Sequence, residues 1–147
     1  MAGDSCWSDG ESEGLYTGLI FNEQSKIKVL KNGWLYGGSG AVDDRELIEG
    51  IEAAGLPPAR WLQSCQHDNI SALLVDTDRN IWRIYTGERL GGIEPVKLPY
   101  AAVGSGTSVA MGALWTGASA KKAVLAACVH NVYCRPPIHT ISFETQH

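Results

Sequence analysis

Apolar positions along the chain switch between a spacing of two and a spacing near four, and these switches outline its elements. Residues 1–14, rich in Gly, Ser, Asp and Glu, read as a short strand end followed by a surface loop. Residues 15–21 carry the aromatic, apolar and β-branched content of a strand. A second strand is predicted over 26–30, where Ile27 and Val29 alternate with Lys26 and Lys28. Lys31-Asn32-Gly33 supplies the turn, since an Asn-Gly pair between two such runs signals a hairpin whose central residues tolerate positive φ. The next strand, 34–40, ends in the glycine-rich corner Gly37-Gly38-Ser39-Gly40.

From Asp43 the pattern becomes helical. Asp43 is the expected cap, Glu46 completes a capping box, and Leu47, Ile48, Ile51 and Ala54 form one apolar stripe. Gly55 and Pro57-Pro58 stop this helix, and residues 61–69 are ambiguous. Residues 70–76 and 81–86 read as strands joined by the polar turn Thr77-Asp78-Arg79-Asn80. Gly91-Gly92 and Pro95 mark a loop, and Tyr100-Ala101-Ala102-Val103 reads as a short buried strand running into Gly104-Ser105-Gly106. A small-residue helix over 108–116 is expected to turn Val109, Ala113 and Leu114 towards a sheet, with Gly117 ending it. Ser119 then caps a helix over 120–130 whose inner face is Ala123, Val124, Ala127 and Cys128. After Arg135-Pro136-Pro137 an alternating strand, 138–143, closes the chain. This order predicts an α+β fold, sheets covered by helices rather than a βαβ repeat.

Composition narrows the class. At 147 residues and 44% hydrophobic, the chain is expected to form a single domain, residues 1–147, with a core that needs neither disulfides nor metal. A net charge of −4 with scattered Lys and Arg argues against nucleic acid as a partner. No signal-like opening follows Met1, and no window approaches the roughly 20 apolar residues that cross a bilayer, so a cytoplasmic protein without a membrane partner is expected. Cys6, Cys65, Cys128 and Cys134 show no disulfide framework and should stay reduced. Cys65-Gln66-His67 and Cys128-Val129-His130 invite a zinc reading, but one intervening residue points the two side chains apart, and no metal or cofactor is expected. His67, His130, His139 and His147 form no recognisable arrangement.

Three runs add a resemblance. The first is Tyr100-Ala101-Ala102-Val103-Gly104-Ser105-Gly106 followed by two helices, the second opening Ser119-Ala120-Lys121-Lys122-Ala123-Val124. The second is Ala2-Gly3-Asp4-Ser5, and the third is Ser25-Lys26-Ile27-Lys28 with Asn32-Gly33 and Gly37-Gly38-Ser39-Gly40. Taken in this order, the chain resembles proteasome β subunits and the bacterial ATP-dependent peptidase that forms a proteasome-like double ring. No single run is diagnostic, and their collinearity carries the resemblance. It implies a four-layer αββα sandwich of the N-terminal-nucleophile hydrolase type, with subunits assembled in a homo-oligomeric ring, a polypeptide substrate and an ATPase unfoldase as partner.

The family's chemistry uses an N-terminal Thr whose α-amine, with a pKa of about 8, accepts the hydroxyl proton. By resemblance Lys26 matches the lysine that lowers the amine's pKa and steadies the attacking oxygen. Asp4 matches the aspartate paired with that lysine, Ser105 the serine near the amine, and Gly38, Ser39 and Gly40 the backbone of the oxyanion hole. The blander readings make Lys26 a solvated strand lysine, Asp4 a turn former and Ser105 a helix cap. The sequence also departs from the pattern. It is expected to lack the family's first hairpin, hence the threonine, and loss of Met1 would expose Ala2, which has no hydroxyl. Ser5 and Cys6 would lie a strand length from the required place. Asn131 falls where many relatives carry an orienting aspartate, and an amide can hydrogen-bond there without holding charge. Two expectations compete: a threonine peptidase subunit whose true start lies upstream, inactive as written, or a non-catalytic scaffold, regulatory or binding module of the same fold.

Overall fold

The computed structural model describes residues 1–3, 27–39, 44–64, 70–86, 91–130 and 138–143. Its strands are β1 (Ala2–Gly3), β2 (Ile27–Val29), β3 (Leu35–Ser39), β4 (Ser71–Val75), β5 (Ile81–Tyr85), β6 (Gly92–Pro95) and β7 (His139–Thr140), and its helices are α1 (Arg45–Ala54), α2 (Ala59–Ser64), α3 (Thr107–Trp115) and α4 (Ala120–His130). The strand expected over 15–21 lies outside the described residues. Two compact units are formed, one from the described parts of Val29–Ala101, the other from those of Met1–Lys28 and Ala102–His147.

The first unit is built on a sheet of order β2-β3-β4-β5-β6, with antiparallel ladders from β3 through to β6. Register follows from the two-residue period, because a slip by one position would turn every apolar side chain to the wrong face. Tyr36 pairs with Leu74, which pairs with Trp82, while Gly38 pairs with Ala72, which pairs with Ile84. Tyr36, Ala72, Leu74 and Ile84 are fully buried and share one core with Leu47, Ile48 and Ile51 of α1 and Leu62 of α2. Trp34, Trp61, Trp82 and Ile93 pack around its margin. Each fully buried side chain of this kind is worth about 1.5–3 kcal/mol in transfer free energy.

The β2–β3 and β4–β5 hairpin loops have the same backbone. In the first, Leu30 N–H donates to Trp34 O (2.8 Å) and Gly33 N–H to Leu30 O (2.9 Å); in the second, Asp76 N–H donates to Asn80 O (3.1 Å) and Arg79 N–H to Asp76 O (3.0 Å). Each is a three-residue loop whose last residue is left-handed, Gly33 at φ +84° and Arg79 at φ +70°. The Asn-Gly pair therefore makes the longer loop form, with only its glycine at positive φ, rather than a two-residue turn. The Asn32 side chain accepts from Trp34 N–H (3.1 Å) and donates to Ile51 O at the end of α1 (3.2 Å), and Lys31 N–H donates to Glu52. The loop is thereby tied to the helix it precedes. In the second loop a glycine's freedom is missing and a buried carboxylate compensates. Asp76 accepts from Asp78 N–H (2.9 Å), Asn80 N–H (2.9 Å), Asn80 Nδ2 (3.0 Å) and Trp82 Nε1 (3.2 Å). Burial by itself would raise this carboxyl's pKa, but the hydrogen bonds from Asn80, Trp82 and Asp78 outweigh it and hold the group below its ordinary 3.8.

Several elements differ from the sequence pattern. Val29 is 58% exposed while Leu30 is buried, because the loop closes at Leu30 and turns its side chain inward. Helix α1 starts at Arg45 with Asp44 at the cap position and no side-chain cap bond; Asp43 lies outside the described residues, and Ala54 is exposed at the end of the stripe. Residues 92–95, expected as a loop, form β6: at a sheet edge Pro95 needs no ladder donor. The ambiguous stretch after Pro58 opens as α2, which lies against β6. The approach is close at Gly91, where a Cβ would stand 2.5 Å from Gln63 Cα, so only glycine fits. Residues 100–103 are irregular and half-buried instead of a strand.

In the second unit β1 pairs antiparallel with β7, Ala2 opposite Thr140 and Gly3 opposite His139. Met1 extends the ladder by exchanging 3.0 Å bonds with Ile141 in both directions. Helices α3 and α4 pack together, and α4 lies against β1. Ser119 caps α4 as expected, its hydroxyl accepting from Lys122 N–H at 3.2 Å. Helix α3 ends in a Schellman motif: Ala118 N–H reaches Ala113 O, Gly117 N–H reaches Leu114 O, and Gly117 has φ +92°. Ala123 and Ala127 are buried on the expected inner face of α4.

Two outcomes follow from the loops. Gly33→Ala should cost about 1–2 kcal/mol in denaturant unfolding, since an L side chain must then hold left-handed backbone; an unchanged midpoint would show a different turn. Asp76→Ala should cost about 1.5–3 kcal/mol at neutral pH by leaving the N–H donors of Asp78, Asn80 and Trp82 without their acceptor. Because the folded pKa lies below the unfolded one, the Asp76 contribution is complete above about pH 4 and is lost as pH falls through the folded value. Acid titration of stability should therefore flatten below pH 4 in the variant and not in the wild type.

Candidate functional site

The strand's own period shapes the glycine run of β3. Tyr36 and Gly38 lie two residues apart and face the same side, so the tyrosine ring leans along the strand over its glycine neighbour. A Cβ built on Gly38 would stand 2.7 Å from the Tyr36 hydroxyl oxygen and 3.2 Å from Asp44 Oδ2. Tyr36 is wholly buried, and its hydroxyl has no hydrogen-bond partner. The half-buried Asp44 carboxylate lies beside the phenol and interacts with its proton, although the pair is not aligned as a good hydrogen bond. Burial first, and then the negative charge of Asp44, push the Tyr36 pKa far above its usual 10, so the phenol stays neutral. Asp44 thus spends its position at the head of α1 on this corner rather than on a helix cap.

Ser105 sits in the second unit, exposed, in the turn that leads into α3. Gly104 has φ +103°, and its carbonyl accepts from both the Thr107 hydroxyl (2.6 Å) and the Thr107 N–H (3.2 Å). The cap position of α3 is Gly106, one residue past Ser105. The backbone of Gly38 and Ser39 lies in β3, whereas Lys26, Asp4, Gly40 and Asn131 fall outside the described residues.

The Met1 α-amine, a group that sequence reasoning passed over, is half-buried and donates to Ile141 O at 3.0 Å; desolvation lowers its pKa from the ordinary 8.0. Among the described residues no cluster of three or more His, Cys, Asp or Glu side chains could hold a metal ion. None of the described helices is long and apolar enough to cross a membrane. An aromatic residue two positions before a strand glycine is a readable sign that Tyr36 covers Gly38, whereas nothing in the sequence pattern signals the approach of Asp44.

Solved structures supply the decisive comparison. The chain is similar to BPH, a bacterial proteasome homologue from Thiobacillus denitrificans, with TM-score 0.67 and 16% identity over 99% of this chain and 92% of that one. The fold is proteasome-like. A second structure of the same protein, in complex with epoxomicin, matches with TM-score 0.64 and 16% identity over 94% of this chain and 88% of that one. No protein-family profile and no curated protein matches the sequence. The proteasome-like fold contains the mixture of helices and antiparallel sheet described above.

The turn carrying Ser105 depends on Gly104. Gly104→Ala should lower stability by about 1–2 kcal/mol through its left-handed backbone, read as a drop in thermal midpoint; an unaffected midpoint would mean that the turn relaxes freely.

Proposed function

We propose that this chain is a subunit of a proteasome-like, ring-forming peptidase of the N-terminal-nucleophile type, folded as one domain over residues 1–147 in four αββα layers. The reaction is hydrolysis of a polypeptide. It calls for a terminal threonine, which Met1 does not supply: its hydroxyl would attack the scissile carbonyl and pass the proton to its own α-amine. The tetrahedral adduct then collapses: the α-ammonium returns the proton to the departing amine, the C–N bond breaks and an acyl ester remains, which water cleaves to the carboxylic acid, restoring the hydroxyl. Lys26 steadies the attacking oxygen, Asp4 holds Lys26, and Ser105 lies near the amine. The backbone at Gly38, Ser39 and Gly40 stabilises the oxyanion. Asn131 takes the orienting position as a neutral hydrogen-bonding group. No cofactor enters this chemistry, and the partners are identical subunits, the polypeptide substrate and an ATPase unfoldase.

The observation that carries the reading is the likeness over 99% of this chain to BPH, a protein solved in complex with epoxomicin. A second reading, a non-catalytic scaffold, regulatory or binding module, is favoured by the Met1 amine, which is committed to Ile141 O instead of standing free as a base.

The two readings separate on incubation of the native protein with epoxomicin, followed by intact-mass measurement, alongside hydrolysis of fluorogenic peptides and native mass. The peptidase reading expects a one-to-one adduct, peptide turnover reduced at least 100-fold in Lys26→Ala, and a ring-sized particle. Absence of both adduct and turnover in a ring-sized particle would leave the scaffold.

A further inference from the structure

We propose that Tyr36 and Asp44 are positioning residues that clamp the Gly38 backbone, their polar ends together occupying the space where a side chain at position 38 would stand. The proposal deepens the reading of Gly38 as an oxyanion-hole residue and rests on it for its functional half, while its conformational half stands on geometry alone.

The geometry is specific. The Tyr36 hydroxyl is 2.7 Å and Asp44 Oδ2 3.2 Å from the position of a Gly38 Cβ, and Tyr36 Cε1 stands at 3.2 Å. The tyrosine cannot swing aside, because its ring is fully buried within the core formed with Leu47, Ile48, Ile51 and Leu74. Asp44 is fixed from the other side by the start of α1, where its carbonyl accepts from Ile48 N–H at 3.0 Å. Gly38 is therefore closed in by its own strand and by the helix that follows it.

A buried hydroxyl whose one polar neighbour, Asp44, is poorly aligned is a cost that a phenylalanine would largely avoid, since removing a poorly matched polar group at constant shape is close to neutral. Its presence directly over Gly38, beside a carboxylate, gives it a task other than filling the core. A rigid peptide is what an oxyanion donor requires, because the donor must already point at the developing charge before the reaction begins. A core-filling tyrosine predicts none of this: its hydroxyl would be matched or replaceable without effect on the glycine.

The test is a double-mutant cycle on the full chain with Tyr36→Phe, Gly38→Ala and their combination, joined by Asp44→Asn and read by thermal unfolding and by the Gly38 amide resonance in glycine-labelled protein. Gly38→Ala should lower the midpoint by about 5 °C in the wild type and by less than half as much in the Tyr36→Phe background. Tyr36→Phe should leave the midpoint unchanged or raised, and both Tyr36→Phe and Asp44→Asn should shift the Gly38 amide resonance. Equal costs of Gly38→Ala in the two backgrounds, or an unmoved resonance, overturn the clamp. If the wild type hydrolyses peptides, Tyr36→Phe should reduce kcat about tenfold at constant KM, and an unchanged kcat overturns the positioning role. If the wild type neither hydrolyses peptides nor takes up epoxomicin, the peptidase reading fails, and the cycle and the resonance still decide the clamp.

Discussion

Burial of one face of the sheet under α1 is the constraint on which the first unit depends. Tyr36, Ala72, Leu74 and Ile84 come from three neighbouring strands and meet Leu47, Ile48 and Ile51, so strand register, helix phase and loop geometry must agree at once. That agreement explains why the β2–β3 and β4–β5 hairpins use the same loop. A loop of any other length would rotate the next strand and send its apolar residues outward. It also explains the glycine corner, because a large aromatic residue at position 36 leaves room only for hydrogen two residues later.

Polar groups in this unit are used sparingly and with uneven completeness. Asp76 is buried with four donors around it and fixes a loop that has no glycine at its left-handed position. Tyr36 is buried with its hydroxyl unmatched. Natural proteins tend to keep such mismatches where function and stability compete, and elsewhere follow local rules closely. The two groups therefore play different parts: one closes a turn, and the other covers a strand glycine that pairs with Ala72.

Local chemistry was legible in the sequence wherever the signal was self-contained. Gly33 marked a turn, Ser119 a helix start and Gly117 a helix end, and the strands around Thr77–Asn80 were found with their connecting loop. What escaped depends on distant partners. Strand β6 contains Gly92 and Pro95, which read as a loop until β5 is seen to supply one-sided pairing. Helix α2 is short, and its existence depends on the room that Gly91 leaves for Gln63. Residues 100–103 have a strand's composition without adopting one. At the candidate site, the glycine corner could be read from its composition, whereas the contact of Tyr36 with Asp44 could not, because it joins a strand to the first turn of a helix across a loop.

The outer strand of the sheet has a consequence for how the protein behaves in a crowded solution. Pro95 lacks the N–H that an incoming strand would need as a donor, and the neighbouring Glu94 is exposed and charged. An unguarded rim of this kind is where foreign chains add themselves by main-chain pairing, which is how fibrils begin. Here the rim offers an interrupted row of donors behind a negative charge. The same proline that hid the strand from the sequence pattern thus discourages the sheet from growing beyond its own chain.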